Sequence, residues 1–223
     1  MDSTAQAIVL ADGTVGPREA IDAAWPDWSA ADPYVVAADG GARHAEPLGL
    51  RIHRWVGDGD SVRADMLARL EAEGVPIDRM PFDKDESDTE LALRAALDVS
   101  PGAIVILGAL GGPRLDHALA NLSLLSLPEL SDIDVRLVAA DARVRVAQPG
   151  TTRLEGRIDD LVTLLPIGTD ASGVTTAGLA YPLHGETLRI GRTRGLSNRR
   201  TEAVAEVAFE AGRLLVVETP ATL

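Results

Sequence analysis

Cysteine is absent from the 223 residues. That excludes a disulfide framework and any thiolate metal site. Lysine is nearly absent as well: Lys84 is the only one, and arginine carries the remaining positive charge. No Gly-Lys-Ser/Thr triplet occurs, so a Walker-type phosphate loop is excluded and any phosphate chemistry must use other means. No apolar run is long enough to span a bilayer, so no membrane partner is expected. The opening stretch MDSTAQAIVLADG has no basic region before its apolar run and does not read as a secretory signal. A cytoplasmic protein is the expectation. The formal net charge is −13, which argues against a nucleic-acid partner, because such proteins usually carry a basic footprint. A nucleotide ligand stays open, since a metal ion can bridge acidic side chains to phosphates.

A hydrophobic content of 46% is ordinary for a globular protein and permits a sizeable core. The length allows one large domain or two modest ones. Over the first two thirds, short apolar runs alternate with helix-like segments. The runs AIVLAD, YVVAAD, IHRWVGD, AIVILGALGG and DVRLVAAD are rich in Val and Ile and bounded by Gly or Asp. Such runs fit strands of a buried parallel sheet. Between them, SVRADMLARLEAEG, SDTELALRAAL and LDHALANLSLLSL read as helices, with Ser87 and Glu90 spaced as a capping box. The fold class is therefore α/β, a mostly parallel sheet flanked by helices.

The texture changes at Pro149-Gly150. LVTLLPI, GVTTA, ETLRIG, AVAEVAFEAG and RLLVVET are short, strand-like and punctuated by Gly and Pro. AVAEVAFE and RLLVVE, separated by Ala211-Gly212, read as a hairpin. We expect an α/β domain over 1–148 and a smaller all-β domain over 149–223.

In an open parallel sheet, ligands sit outside the carboxyl ends of the strands, and the polar residues here fall at those ends. YVVAAD ends in Asp39-Gly40-Gly41. RWVGD ends in Asp58, with Asp60 two residues on. AIVILGALGG ends in Gly111-Gly112, followed by Arg114, Asp116 and His117. An extended i, i+2 pair points Asp58 and Asp60 to one side. Hard oxygen ligands at that spacing suit Mg²⁺. A third acidic cluster, DKDESDTE, puts Asp85 and Asp88 one helical turn apart at the start of a helix, where anions are favoured. Taken singly, each feature has a plainer reading. Asp-Gly-Gly is a turn, Ser87 or Asp88 a helix cap, Asp116-His117 another cap, Tyr181 a core or edge aromatic, and Ser197-Asn198 a polar turn.

Taken in order, AADGGA (37–42), VGDGDS (56–61), DKDESDTELAL (83–93), LGALGGPRLDHALANLSLL (107–125), GLAYPL (178–183) and LSN (196–198) resemble the thiamine pyrophosphokinase family. The resemblance implies an N-terminal α/β domain followed by a C-terminal β-sandwich. It also implies a homodimer with thiamine at the subunit interface, and Mg²⁺-dependent transfer of pyrophosphate from the co-substrate ATP to thiamine. It assigns Asp58, Asp60 and Asp88 to catalysis and the metal, with Asp85 as a weaker candidate. Asp39, Gly40, Gly41, Lys84, Gly111, Gly112 and Arg114 are assigned to the nucleotide, with Asn121 one turn behind. Asp116, Tyr181, Ser197 and Asn198 are assigned to the acceptor. The wording departs from the family's usual pattern at Arg43, Gly59, Pro113 and the pair Arg199-Arg200. Two alternatives are kept: a pyrophosphokinase acting on another heterocyclic alcohol such as a pterin, and a non-catalytic nucleotide- or thiamine-binding module.

Overall fold

The structure is a computed structural model that describes residues 6–221. The outermost residues of the two expected domains, 1–5 and 222–223, lie outside it. The chain divides into two compact units after Ala140.

In the first unit, six strands form a wholly parallel array in the order β6-β5-β1-β2-β3-β4. They are β1 (Gln6–Leu10), β2 (Tyr34–Ala38), β3 (Arg54–Gly57), β4 (Ile77–Arg79), β5 (Ala103–Leu107) and β6 (Asp134–Ala139). The helices are α1 (Arg18–Ala24), α2 (Ala64–Ala72), α3 (Asp88–Leu97) and α4 (Leu115–Leu124). Strand β1 is flanked by β2 and β5, so the chain order reverses across it. The loops after β1 and β5 therefore open a crevice at the sheet's carboxyl edge. The central strands are buried on both faces, as their Val- and Ile-rich runs require. Ile8, Leu10, Val35, Trp55, Val105 and Leu107 share one core with Trp25, Trp28, Leu67 and Leu70. Each fully buried aliphatic chain contributes roughly 1.5–3 kcal/mol of transfer free energy.

Helix α3 begins as its sequence indicates: Ser87 is the N-cap, and its hydroxyl accepts from the Glu90 amide at 3.2 Å. The helix buries Ala92, Leu93, Ala95 and Ala96, and it packs on β1, β2 and β3. Three alanines on that face let it lie close to the sheet, which brings Asp88, its first residue, to the edge where β3 ends.

The second unit is a pair of antiparallel sheets. One contains β7 (Ala142–Ala147), β14 (Leu214–Thr219), β9 (Leu161–Pro166) and the short β12 (Asn198–Arg199). The other runs β11-β10-β13-β8, with β8 (Gly150–Glu155), β10 (Ala171–Ala177), β11 (Glu186–Leu188) and β13 (Val204–Phe209). Leu154, Val174, Val207 and Phe209 of one sheet share a core with Val162, Leu164, Leu214 and Val216 of the other. The expected hairpin between β13 and β14 does not form. β13 pairs with β8 and β10, while β14 pairs with β7 and β9, so the Glu210–Arg213 segment crosses between sheets. Gly212 makes that crossing at φ 95°, backed against the Asp170 backbone.

A charged knot sits inside this unit. Glu218, 1% exposed, accepts from Arg143 at 2.9 and 3.0 Å and from Arg200 at 2.7 Å. Arg200, fully buried, also donates to the Leu154 carbonyl. Of the two arginines that depart from the family wording, Arg200 is thus committed to the interior, and Arg199 pairs with Asp159 at the surface. Removing one partner from a buried ion pair strands the others. Glu218→Gln is therefore expected to destabilise by about 3–5 kcal/mol, seen as an earlier urea midpoint. A shift equivalent to less than about 1 kcal/mol, the range of an exposed pair, would show that the arginines find water instead.

Candidate active site

The carboxyl ends of β1, β2, β3 and β5 each lead into a polar loop. After β2 the chain enters a short 3-10 helical turn region, Asp39–His44. Asp39 is 3% exposed and takes φ 42°, a left-handed conformation that Asp tolerates better than most residues. Its backbone carbonyl accepts from the buried Trp55 indole at 3.1 Å. Its carboxylate Oδ2 accepts from the Ser61 amide at 3.0 Å. Glycine is required at 57 because a Cβ there would come within 2.8 Å of the Asp39 Cβ. The end of β3 and the Asp39 side chain therefore occupy adjoining space.

Asp58 and Asp60 complete the cluster. One carboxylate oxygen from each of Asp39, Asp58 and Asp60 lies within 4.8 Å of the other two. The Asp60 amide donates to Asp58 Oδ1 at 3.1 Å, and Asp60 Oδ1 accepts from the Ser61 hydroxyl at 2.8 Å. Lys84 lies behind them, its Nζ 2.9 Å from Asp58 Oδ2 and 3.2 Å from Asp88 Oδ1. The hydrogen bond from Lys84 holds the Asp58 carboxyl below its ordinary range. Burial pushes Asp88 up, against the pull of Lys84. Burial also works against the Lys84 charge, but its two carboxylate partners outweigh that and raise its pKa. Burial raises Asp39 too, with the charges of Asp88 and Asp60 adding to it.

Oδ1 of Asp39 is buried and has no hydrogen-bond partner. A buried carboxylate oxygen left unsatisfied, on a side chain grouped with two further carboxylates, is unfavourable by itself. A hard divalent cation would satisfy all three at once, and an all-oxygen donor set fits one.

Of the residues singled out from sequence, Asp58, Asp60, Asp88 and Lys84 thus come together with Asp39. Gly40 and Gly41 are buried in the same 3-10 turn. Asp85 is exposed in the loop before α3. Gly111 and Gly112 follow β5, and Gly111 packs on Thr14 of the loop after β1. Arg114 and Asp116 pair with each other, Nε and Nη2 lying 2.9 and 2.6 Å from the two carboxylate oxygens, and both are exposed. Asn121, in the second turn of α4, is buried and donates to the Ala109 carbonyl at 3.0 Å, which fixes the glycine loop on its helix. In the second unit, Tyr181 is 67% exposed. Asn198 donates to the Tyr181 carbonyl at 2.7 Å and accepts from the Tyr181 amide at 3.0 Å, while the Ser197 amide donates to Thr163 Oγ1. Asp12 was missed, although AIVLAD ends in Asp-Gly just as YVVAAD does.

The family model described as Thiamin pyrophosphokinase, catalytic domain, matches residues 26–137, half of the chain. The chain belongs to the thiamine pyrophosphokinase family. The family's vitamin B1 binding domain matches residues 151–214, within the second unit. Thiamine pyrophosphokinase of Bacillus subtilis (strain 168) is 29% identical over 164 residues, spanning 73% of this chain and 76% of that protein. Thiamine pyrophosphokinase 2 of Arabidopsis thaliana is 28% identical over 214 residues, 84% and 78% of the two chains. The solved structure of a thiamin pyrophosphokinase family protein from Enterococcus faecalis superposes with a TM-score of 0.78 at 26% identity, covering 97% of this chain and 99% of that one. The crystal structure of the Bacillus subtilis enzyme shares the fold with a TM-score of 0.84 at 24% identity, over 96% and 98%. No helix among the described residues is long and apolar enough to cross a membrane.

The raised pKa of Asp39 has a sign that can be checked. A carboxyl with a raised folded-state pKa binds its proton more tightly in the native protein than in the unfolded chain. Its ionisation therefore removes stability as pH rises through the folded value. Asp39→Asn is expected to give a metal-free Tm at pH 8 equal to or above that of wild type. The difference should vanish as pH falls towards 3.8, where wild type is protonated as well. Magnesium should raise the Tm of wild type and not of the variant. A variant less stable than wild type at pH 8 without metal would contradict the burial argument.

Proposed function

We propose that the protein transfers the pyrophosphoryl group of ATP to the hydroxyl of thiamine, giving thiamine diphosphate and AMP, with Mg²⁺ held by Asp39, Asp58 and Asp60. The observation that carries this reading is the three-carboxylate cluster with its unsatisfied buried oxygen at the sheet's carboxyl edge, in a chain of this family. Bound there, a magnesium ion would supply charge neutralisation to the phosphate oxygens.

The remaining work belongs to the side chains. In the reaction, the thiamine hydroxyl oxygen forms a bond to the β-phosphorus of ATP. The bond from that phosphorus to the bridging oxygen of AMP breaks, and the hydroxyl proton leaves to a base. Positioning and electrostatics dominate such transfers. The Asp39–His44 turn and the Gly111-Gly112 loop offer backbone that a nucleotide can approach closely. Lys84 holds the Asp58 carboxyl below its ordinary range and fixes it in place beside Asp60. Asp88 begins α3 and is pushed up by burial, which makes it the carboxylate best suited to take the hydroxyl proton. Tyr181, exposed and fixed through its backbone by Asn198, presents a ring for stacking on the acceptor heterocycle, and Asp116 and Ser197 offer polar contacts. We also propose a homodimer with thiamine at the subunit interface. The exposed apolar side chains Tyr181, Ile190 and Leu196 of the second unit, and Leu115 and Leu119 of α4, support it.

The test is AMP release from ATP by purified protein, with and without thiamine and Mg²⁺, with the product identified by mass. Thiamine-dependent AMP with a matching diphosphate supports the reading. Turnover only with a pterin or another alcohol moves the acceptor, and ATP binding without any turnover leaves a binding module. Asp58→Asn and Asp60→Asn are each expected to lower turnover by about 10²-fold or more while leaving Tm nearly unchanged. Full activity of either at limiting Mg²⁺ would contradict the cation site. Tyr181→Ala is expected to raise the KM for thiamine by roughly 5- to 10-fold through lost stacking. An unchanged KM would remove the ring from the acceptor pocket.

A further inference from the structure

Arg43 lies in the 3-10 turn that begins with Asp39, and its guanidinium is shared among four acceptors from two loops. Nη1 donates to the Gly40 carbonyl at 3.0 Å and pairs with the Asp12 carboxylate. Nη2 donates to the Asp12 carbonyl and reaches the Gly13 carbonyl at 3.3 Å. The neighbouring His44 lies with Nε2 2.8 Å from the same Gly13 oxygen. Asp12 and Gly13 follow β1, at the point where the strand order reverses.

That loop is itself wedged against the loop after β5. The Gly13 amide donates to the Gly108 carbonyl at 3.0 Å, and a side chain at 13 would collide with the carbonyls of Gly108 and Gly111. On its other side, Gly40 has room for no side chain between the Asp12 carboxylate and Ser61. The loops after β1, β2 and β5 are thus laced through Asp12-Gly13, with the loop after β3 joined to the Asp39 turn by Ser61, and Arg43 is the polar tie that joins Asp12-Gly13 to that turn.

Magnitudes say what this tie is for. Arg43 and Asp12 are 49% and 45% exposed, and an ion pair that open contributes only about 0–1 kcal/mol to folding. Its consequence is geometric: it fixes the spacing between the turn bearing Asp39 and the glycine loop on the far side of the crevice. We propose that Arg43 is a positioning residue for the nucleotide. It clamps the Asp12–Thr14 loop onto the Asp39–His44 turn, so that the backbone lining the crevice is preset for a nucleoside triphosphate. The proposal rests on the ATP-dependent reading above and deepens it.

The test uses full-length protein, with Mg·ATP as the probe. Arg43→Ala is expected to weaken Mg·ATP affinity by titration calorimetry on the order of tenfold. KM for ATP should rise in parallel, KM for thiamine should stay unchanged, and Tm should move little. Amide exchange at residues 11–14 and 108–112 should quicken, with α3 unaffected. Arg43→Lys should recover only part of the loss, because an ammonium cannot span four acceptors. Unchanged ATP affinity in Arg43→Ala would overturn the proposal. So would faster exchange across the whole first unit with a matching fall in Tm, since that is a stability role. A wild type that binds Mg·ATP but does not turn over thiamine overturns the acceptor assignment and leaves the clamp to these readouts. A wild type that binds no ATP overturns both.

Discussion

Four carboxylates crowd the carboxyl edge of the parallel sheet, and one ammonium group holds two of them. Like charges this close disfavour each other's ionisation, and the chain places its only lysine between two of them, bridging Asp58 and Asp88. Lys84 does not reach Asp39. That carboxylate has one backbone amide from Ser61 and one oxygen with nothing to bond. The local balance is therefore incomplete within the protein, and a hard cation completes it. The fold serves this arrangement. Three short loops and the start of α3 bring together residues far apart in sequence, and Gly57 leaves room for Asp39 beside the end of β3.

The parallel half of the fold was legible because its signals are local. Central strands buried on both faces must be continuous apolar runs, and the loops that follow them must turn sharply, so each run ends in Gly or Asp. The cap at Ser87 is equally local. Helix α1 and strand β4 gave no comparable signal. α1 has seven residues, no side-chain cap and only Ile21 buried, while β4 is a three-residue edge strand with no buried position. In the second half, β13 buries alternate residues, Ala205, Val207 and Phe209. Pairing partners are a long-range property, and two adjacent strands that read as a hairpin belong to opposite sheets.

The site was legible in part for the same reason. Asp58 and Asp60 announce themselves by their spacing, but the extended segment expected to carry them ends at Gly57: they sit in a turn with Gly59 at φ 87° and the Asp60 amide folded onto Asp58. The family resemblance assigns Asp39 to the nucleotide, but its burial and its place beside Asp58 and Asp60 depend on a left-handed backbone and on Trp55, neither visible in the local string. Arg200 shows the converse. Beside Arg199 it looks like half of a surface pair, yet it is wholly buried against Glu218, because alternate residues of a short edge strand and its flank face opposite ways. Arg43 stood out only as a departure from the family's wording; three of its four acceptors belong to Asp12 and Gly13, some thirty residues away in sequence.

The central claim is that Asp39, Asp58 and Asp60 hold one divalent cation in front of the nucleotide. Its most direct test is the anomalous difference density of a crystal grown with Mn²⁺ and a non-hydrolysable ATP analogue. The account predicts a single strong peak within coordination distance of oxygens from all three carboxylates and of the analogue's phosphates. A peak bound by Asp58 and Asp60 with Asp39 still unliganded, or a nucleotide seated with no metal at this edge, would contradict it.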